Sequence, residues 1–261
     1  MSNIFFWDLL FLSHGGVIIL KDYERIDDLE FENLKIIQNK LWFCFGVDAV
    51  LLSDFAKDIK TNSSIIDLCS GSGIISILLS KKIKPKSITA IEIQSDVAEM
   101  SERSIKLNNL QDIIKVYNTD LNNLNDLFQA NSFDSIVTNP PYKEINSGIQ
   151  NESFNKLISR HEIKCTLDDI LKVSSNLLKS NGSFYMVHRP NRLCDIMCTM
   201  RKYSLEPKLI KFVQPNINKP PNLVLIKGVK NAKSFLKFEN NLILYNLDGS
   251  YTNDLLKMYN K

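Results

Sequence analysis

Glycine and proline are scarce, at 9 and 8 of 261 residues, while Asn, Ile and Lys abound, a bias of base composition rather than function. No internal repeat and no low-complexity linker breaks the chain, so nothing marks a repeat array or a flexible tether. Cysteine is present but not in pairs that bind metal. There are five, Cys44, Cys69, Cys165, Cys194 and Cys198, with no CxxC pair and no His/Cys cluster at zinc spacing. That pattern excludes a zinc site and leaves an expectation of reduced, mostly buried thiols and no metal. Long apolar runs are also missing. Ile4–Leu12 is apolar but carries Asp8, has no basic residues before it, and is too short to span a bilayer. It reads as a packing or start-site extension rather than a signal peptide, which predicts a cytoplasmic protein away from membranes. A strong excess of one charge is absent as well: 32 Lys+Arg face 29 Asp+Glu, a net +3. So mild an excess neither demonstrates nucleic-acid binding nor excludes it, because a local basic patch is what counts.

What is present is globular. The 44% apolar and 23% charged content rules out a disordered or fibrous chain. A chain of this size buries about 70–75% of the surface its unfolded form exposes and needs neither disulfide nor metal to hold a core. After short strands at Val17–Leu20 and Leu34–Gln38 and a helix over Asp48–Asp58, N-capped by Asp48, a regular alternation begins. Strands are predicted at Ile65–Cys69, Ser87–Ile93, Ile113–Tyr117, Ser135–Thr138 and Ser183–His188. Helices are predicted over 73–82, 96–108, 121–128, 167–178 and 192–203. Two final strands, Lys208–Val213 and Leu223–Gly228, have only a loop between them and must pair antiparallel. The fold class is therefore α/β and Rossmann-like: a seven-stranded, mostly parallel sheet with one antiparallel edge hairpin, the architecture of class I methyltransferases. The expected division is residues 1–40 as an extension packing on the core, 41–230 as the main domain, and 231–261 as a C-terminal extension with a strand candidate at Leu242–Tyr245.

Ligands on such sheets bind beyond the carboxyl ends of the strands. There the first strand runs into Asp67-Leu68-Cys69-Ser70-Gly71-Ser72-Gly73, whose glycines permit a tight turn and close backbone approach. Glu92 closes the next strand nineteen residues after Gly73, where a carboxylate can accept both hydroxyls of a ribose. A dinucleotide fingerprint is incomplete, since Gly71-x-Gly73 is followed by Ile74, Ile75 and Ser76. Asp67 would repel a pyrophosphate but suits S-adenosylmethionine, which carries an ammonium and a sulfonium. The competing reading is a βα turn that needs glycine for geometry alone. Asp120, after the third strand, is placed to accept from an adenine amine or to cap a helix; both roles are open.

The most specific signal is Asn139-Pro140-Pro141-Tyr142 after the fourth strand. An exocyclic amine on a base is a poor nucleophile because its lone pair is delocalised. The Asn139 carboxamide oxygen and the Pro140 carbonyl can each accept one of its N–H groups and favour rehybridisation, in a turn stiffened by two prolines. Tyr142 offers a flat face for a flipped base. Asn139 also borders the cofactor.

These residues, with Glu24–Leu29, Leu34–Gln38, Phe43–Leu52, Arg160-His161-Glu162, His188-Arg189-Pro190, Lys219–Asn222 and Asp248–Thr252, resemble the bacterial tRNA1(Val) adenine-N6 methyltransferase family over nearly the whole chain beyond about residue 20. The resemblance implies methylation, with S-adenosylmethionine as cofactor, of the adenine N6 just 3′ of the anticodon (position 37) of a valine tRNA, by a monomer. It also implies that Phe43, Phe45 and Gly46 line the cofactor pocket, with core packing as the alternative for the two aromatics. The polar stretch after Tyr142 holds Lys143, Arg160, His161 and Lys164; with Arg189 and Arg192 it supplies candidate contacts to the anticodon stem-loop. His161 and His188 are expected to contact RNA or backbone rather than transfer protons. The rival substrates for an N/D-P-P-Y enzyme are rRNA guanine N2, DNA adenine and a protein glutamine. A non-catalytic RNA-binding module and an NAD oxidoreductase are the rivals outside that class.

Overall fold

The computed structural model describes residues 10–13, 16–42, 46–142 and 165–259. Its strands are β1 (Leu10–Ser13), β2 (Gly16–Ile19), β3 (Glu24–Asp28), β4 (Lys35–Asn39), β5 (Ser64–Leu68), β6 (Ser87–Glu92), β7 (Ile114–Asn118) and β8 (Phe133–Thr138). They continue with β9 (Leu178–His188), β10 (Leu205–Gln214), β11 (Leu223–Lys230), β12 (Lys237–Phe238) and β13 (Leu242–Ile243). The helices are α1 (Val47–Phe55), α2 (Ile74–Lys82), α3 (Ser95–Leu107), α4 (Leu124–Leu127), α5 (Leu167–Leu177), α6 (Leu193–Lys202) and α7 (Asn253–Met258).

The central sheet has nine strands in the order β12-β10-β11-β9-β8-β5-β6-β7, with β13 also on β10. Seven are the core strands the sequence predicts; β13 occupies the first half of the strand candidate at 242–245, and it and the unpredicted β12 are two-residue strands parallel to β10. Strands β5 to β9 are parallel, and β11 is antiparallel to both β9 and β10. Consecutive side chains point to opposite faces of a strand, and the apolar runs use both faces. Ile65, Val137, Tyr185 and Leu225 face the side covered by α1 and α2. Their neighbours Ile66, Ile136, Phe184 and Val224 face the side covered by α5 and α6. That is why these strands read as continuous apolar runs rather than alternating ones.

Helix α5 starts in a reciprocal capping box between Thr166 and Asp169, which satisfies two backbone donors at its first turn. Residues 121–128, expected as one helix, form a 3-10 turn and a single helical turn. The expected break before Ser183 is instead strand: β9 begins at Leu178, with a register irregularity opposite Phe133/Ser135.

Ahead of the sheet, β3 and β4 form a hairpin against α3. Ile37 N–H donates to Ser104 Oγ at 3.0 Å, and Arg103 is bidentate to Glu24 at 2.6 Å. The expectation of buried thiols is corrected. Cys69 and Cys165 are half-buried, and Cys194 and Cys198 lie exposed on α6, whose inward face is held by Ile196 and Met200. Among the described residues, no helix is long and apolar enough to cross a membrane.

Candidate functional site at the carboxyl edge of the sheet

The chain goes from β5 outward to β6 and β7, then returns to the other side of β5 as β8. The strand order therefore reverses between β5 and β8, and the crevice at their carboxyl ends is where such sheets take ligands. The turn after β5 is held open by backbone conformation. Cys69, Gly71 and Gly73 all have positive φ (59°, 54° and 83°). At Gly71 a Cβ would meet nothing within 4 Å, so only the φ calls for glycine. At Gly73 a Cβ would fall 2.4 Å from Ser101 Oγ on α3, so the close approach of α3 calls for it as well.

Asp67 lies beneath this turn and is fully buried. One carboxyl oxygen, Oδ2, accepts from Ser76 Oγ, in the first turn of α2, at 2.7 Å. The other, Oδ1, has no hydrogen-bond partner, and neither does the nearby Ser70 Oγ. Burial pushes the Asp67 carboxyl up from its ordinary 3.8 to about 7; the Ser76 hydrogen bonds oppose this and the Glu92 charge adds to it. A buried, half-satisfied carboxyl at a ligand crevice is a polar group short of a partner. An ammonium would supply both the missing donor and the missing charge, so the donor set fits S-adenosylmethionine.

Glu92, at the end of β6, turns toward the same loop. It accepts from Gly71 N–H at 3.0 Å and Gln94 N–H at 2.9 Å. Asp120 is a cap: Oδ1 accepts from Asn122 N–H at 2.9 Å and Asn122 Nδ2 at 3.0 Å, and the residue opens the 3-10 turn. The end of β7 is tied to β6 by Asn118 Nδ2 and Thr119 N–H, which both donate to the Glu92 carbonyl. The three acidic residues thus close three adjacent strands, β5 to β7, along one edge.

Next to them, β8 runs into Asn139–Tyr142. Pro140 is buried, and Asn139 and Tyr142 are half-buried. Tyr142 Oη stands 2.5 Å from Asn139 Oδ1 and 3.0 Å from Asp48 Oδ2. Burial and the neighbouring Asp48 hold this phenol well above its ordinary range, so it stays protonated. The ring is not bare: the Arg189 guanidinium lies over it at 5.0 Å, and His188 meets it edge-on at 5.2 Å. A base stacking on that face would take the place of Arg189, whose Nη1 also donates to the Asn222 carbonyl at 3.1 Å.

His188 is pushed down to about 4 by burial, with Arg192 and Arg189 adding to the effect. It is neutral near pH 7, and its Nδ1 accepts the Arg189 backbone N–H at 2.8 Å. That is a packing and backbone role, as the sequence suggests. Arg192 pairs with Asp195 at 2.8 Å at the start of α6. Phe43 and Phe45 lie outside the described residues, as do Lys143, Arg160, His161 and Lys164. Gly46 is described; it is the extended N-cap of α1.

One residue departs from the role its sequence segment predicts. Asp48 is not the N-cap of α1. It sits in the first turn, 8% exposed, with its carboxylate toward Tyr142. The apolar helix around it (Val50, Leu51, Leu52) gives a reason to expect a buried position there, which a plain capping role would not require.

Comparison with known proteins gives one direction. A family model, "Methyltransferase small domain", matches residues 46–202. A tRNA1(Val) (adenine(37)-N6)-methyltransferase of Porphyromonas gingivalis is 24% identical over 89% of this chain and 93% of its own length. One of the same name from Aeromonas hydrophila is 22% identical over 90% and 96%. Among solved structures, a predicted O-methyltransferase from Agrobacterium tumefaciens aligns with a TM-score of 0.66 at 20% identity, covering 82% of this chain and 95% of that one. A tRNA m1G37 methyltransferase of M. jannaschii aligns at 0.57 and 15% identity, covering 84% and 60%. The structural likenesses speak for the fold.

Proposed function

Because the chain belongs to the methyltransferase small domain family, we propose that it transfers a methyl group from S-adenosylmethionine to the exocyclic N6 amine of the adenine at position 37 of a valine tRNA, in the cytoplasm and as a monomer. The observation that carries this reading is the juxtaposition, at the ends of neighbouring strands β5 and β8, of a buried carboxyl short of a donor and an Asn-Pro-Pro-Tyr turn. The family, and the names carried by relatives aligned over most of both chains, support the choice of substrate.

When bound, the cofactor supplies an electrophilic methyl on a sulfonium. The chain's own residues do the rest. Asp67 receives the ammonium on its unpartnered oxygen. Glu92 receives the ribose hydroxyls, and Asp120 faces the adenine amine of the cofactor. Gly71, Gly73 and Gly46 keep the approach clear, and Phe43 and Phe45 are the candidates to line the pocket. At the target base, Asn139 Oδ1 and the Pro140 carbonyl each accept one N–H of the N6 amine. Drawing on both hydrogens localises the nitrogen lone pair and aims it at the methyl group. The bound cofactor would supply the methyl group and keep the C–S bonding pair on its sulfur, so the transfer balances. The extra proton on N6 leaves to water, so no general base is required, which agrees with a His188 that is buried and neutral. Tyr142 stacks the flipped base in place of Arg189, and the freed Arg189 turns to the RNA backbone with Arg192, Lys143, Arg160, His161 and Lys164.

The test is methyl transfer by the wild type and by Asn139→Ala. The variant loses transfer by on the order of 10²-fold or more, well beyond any weakening of its cofactor binding. Unchanged transfer refutes the role of Asn139.

A further inference from the structure

Asp48 lies on α1, 94 residues from Tyr142 in sequence, yet their side chains meet at 3.0 Å. Its other oxygen accepts the Ala49 N–H at 3.0 Å, and the residue is 8% exposed. Tyr142 Oη therefore stands between two acceptor positions, Asp48 Oδ2 and Asn139 Oδ1, the latter at 2.5 Å. A phenol has one proton and cannot donate to both. The carboxylate is the stronger acceptor, because a charge-assisted hydrogen bond is about twice as strong as a neutral one. The Tyr142 proton then goes to Asp48, and the phenol oxygen turns its lone pairs to Asn139. A carboxamide satisfies those lone pairs only with its amino group. Its oxygen and nitrogen are near-isosteric, so the amide can be turned over, with the 2.5 Å contact lengthening by about 0.3 Å to reach the ordinary N–H···O range.

We propose that Asp48 is a positioning residue: through the Tyr142 hydroxyl it fixes the Asn139 carboxamide with its N–H toward Tyr142 and its oxygen toward the amine to be methylated. Without a carboxylate at position 48 the chain of hydrogen bonds has no direction. An asparagine there can donate to the phenol oxygen, which releases the phenol proton to Asn139 Oδ1 and occupies the oxygen the reaction needs. The inference rests on the reading of Asn139 as the acceptor for the target amine.

The experiment uses the full chain with S-adenosylmethionine and tRNA, and compares wild type, Asp48→Asn, Asp48→Glu, Tyr142→Phe and the double variant Asp48→Asn/Tyr142→Phe. Asp48→Asn lowers kcat by about 10- to 100-fold with KM for both substrates within about twofold. Asp48→Glu retains more activity than Asp48→Asn. The double variant is no slower than Tyr142→Phe alone, because both act through one link. A second readout needs no turnover: in protein carrying ¹⁵N-asparagine, the Asn139 side-chain N–H signal, assigned by its loss in Asn139→Asp, is protected from exchange in wild type and loses protection in Asp48→Asn and Tyr142→Phe.

Wild-type kcat in Asp48→Asn, multiplying losses in the double variant, or an Asn139 signal indifferent to Asp48 each overturn the proposal. If the wild type methylates no tRNA, the functional reading fails, and the Asn139 signal still decides whether Asp48 orients the amide.

Discussion

Replacing Asp67 with asparagine separates the demands of stability from those of binding. The folded chain holds a proton on Asp67 up to about pH 7, against an ordinary carboxyl value of 3.8. Between those values the folded state binds more protons than the unfolded one, so this site makes stability fall as pH rises. The loss is complete above about pH 7. Three pH units correspond to about 4 kcal/mol, of which about 2.5 kcal/mol develops between pH 5 and pH 8. Asparagine does not titrate. Its weaker bond to Ser76 and its unpartnered polar atoms add a constant offset that pH does not change. The stability of Asp67→Asn relative to wild type, measured by urea unfolding without cofactor, should therefore improve by about 2–3 kcal/mol from pH 5 to pH 8. The same variant should bind S-adenosylmethionine more weakly, and wild-type binding should tighten as pH rises from 5 to 7, because the ammonium favours the ionised carboxyl. A stability difference that is flat in pH would refute the claim that Asp67 is a strained buried acid awaiting a cation.

Two further comparisons, a pair of glycine variants and an ion-pair variant with its rescue, test the frame around the site. Gly73→Ala forces a side chain to φ 83° and a Cβ to 2.4 Å from Ser101 Oγ, whereas Gly71→Ala meets only the φ penalty. The first should cost at least about 2 kcal/mol and the second about 1 kcal/mol, and thermal unfolding that ranks them the other way round contradicts the packing described. Arg103→Met leaves the Glu24 carboxylate, 1% exposed in its side chain, without its bidentate partner. The expected loss is about 3–5 kcal/mol, largely recovered by adding Glu24→Gln; a loss under about 1 kcal/mol in chemical denaturation would show that the hairpin is not held there.

Much of this architecture is legible because parallel strands buried on both faces leave a strong local signature. Ile65–Leu68 and Ile136–Thr138 are runs that only a covered sheet accommodates, and Gly71-x-Gly73 and Asn139–Tyr142 mark the turns at their ends. What is not legible depends on distant partners. The hairpin strand β3, Glu24-Arg25-Ile26-Asp27-Asp28, is charged enough to read as a turn, and becomes a strand because β4 pairs with it and α3 supplies Arg103. The two-residue strand β12 exists only as an addition to β10, whereas β13 falls within the strand expected at Leu242–Tyr245. Asp48 looks like a helix cap in its own segment, and only the fold brings Tyr142 to it. Ser76 and Ser101 are plain helical serines in sequence; one holds Asp67 and the other faces Gly73. Residue type alone gives Tyr142 a flat stacking face, and only the fold shows Arg189 lying over it.

The most direct measurement is transfer of label from S-adenosylmethionine to an unmodified valine tRNA transcript, with nucleoside analysis of the product, beside a transcript in which the adenine 3′ of the anticodon is guanine. The account predicts label in N6-methyladenosine from the first transcript and none from the second. Equal labelling of both, or label in any other nucleoside, would contradict it.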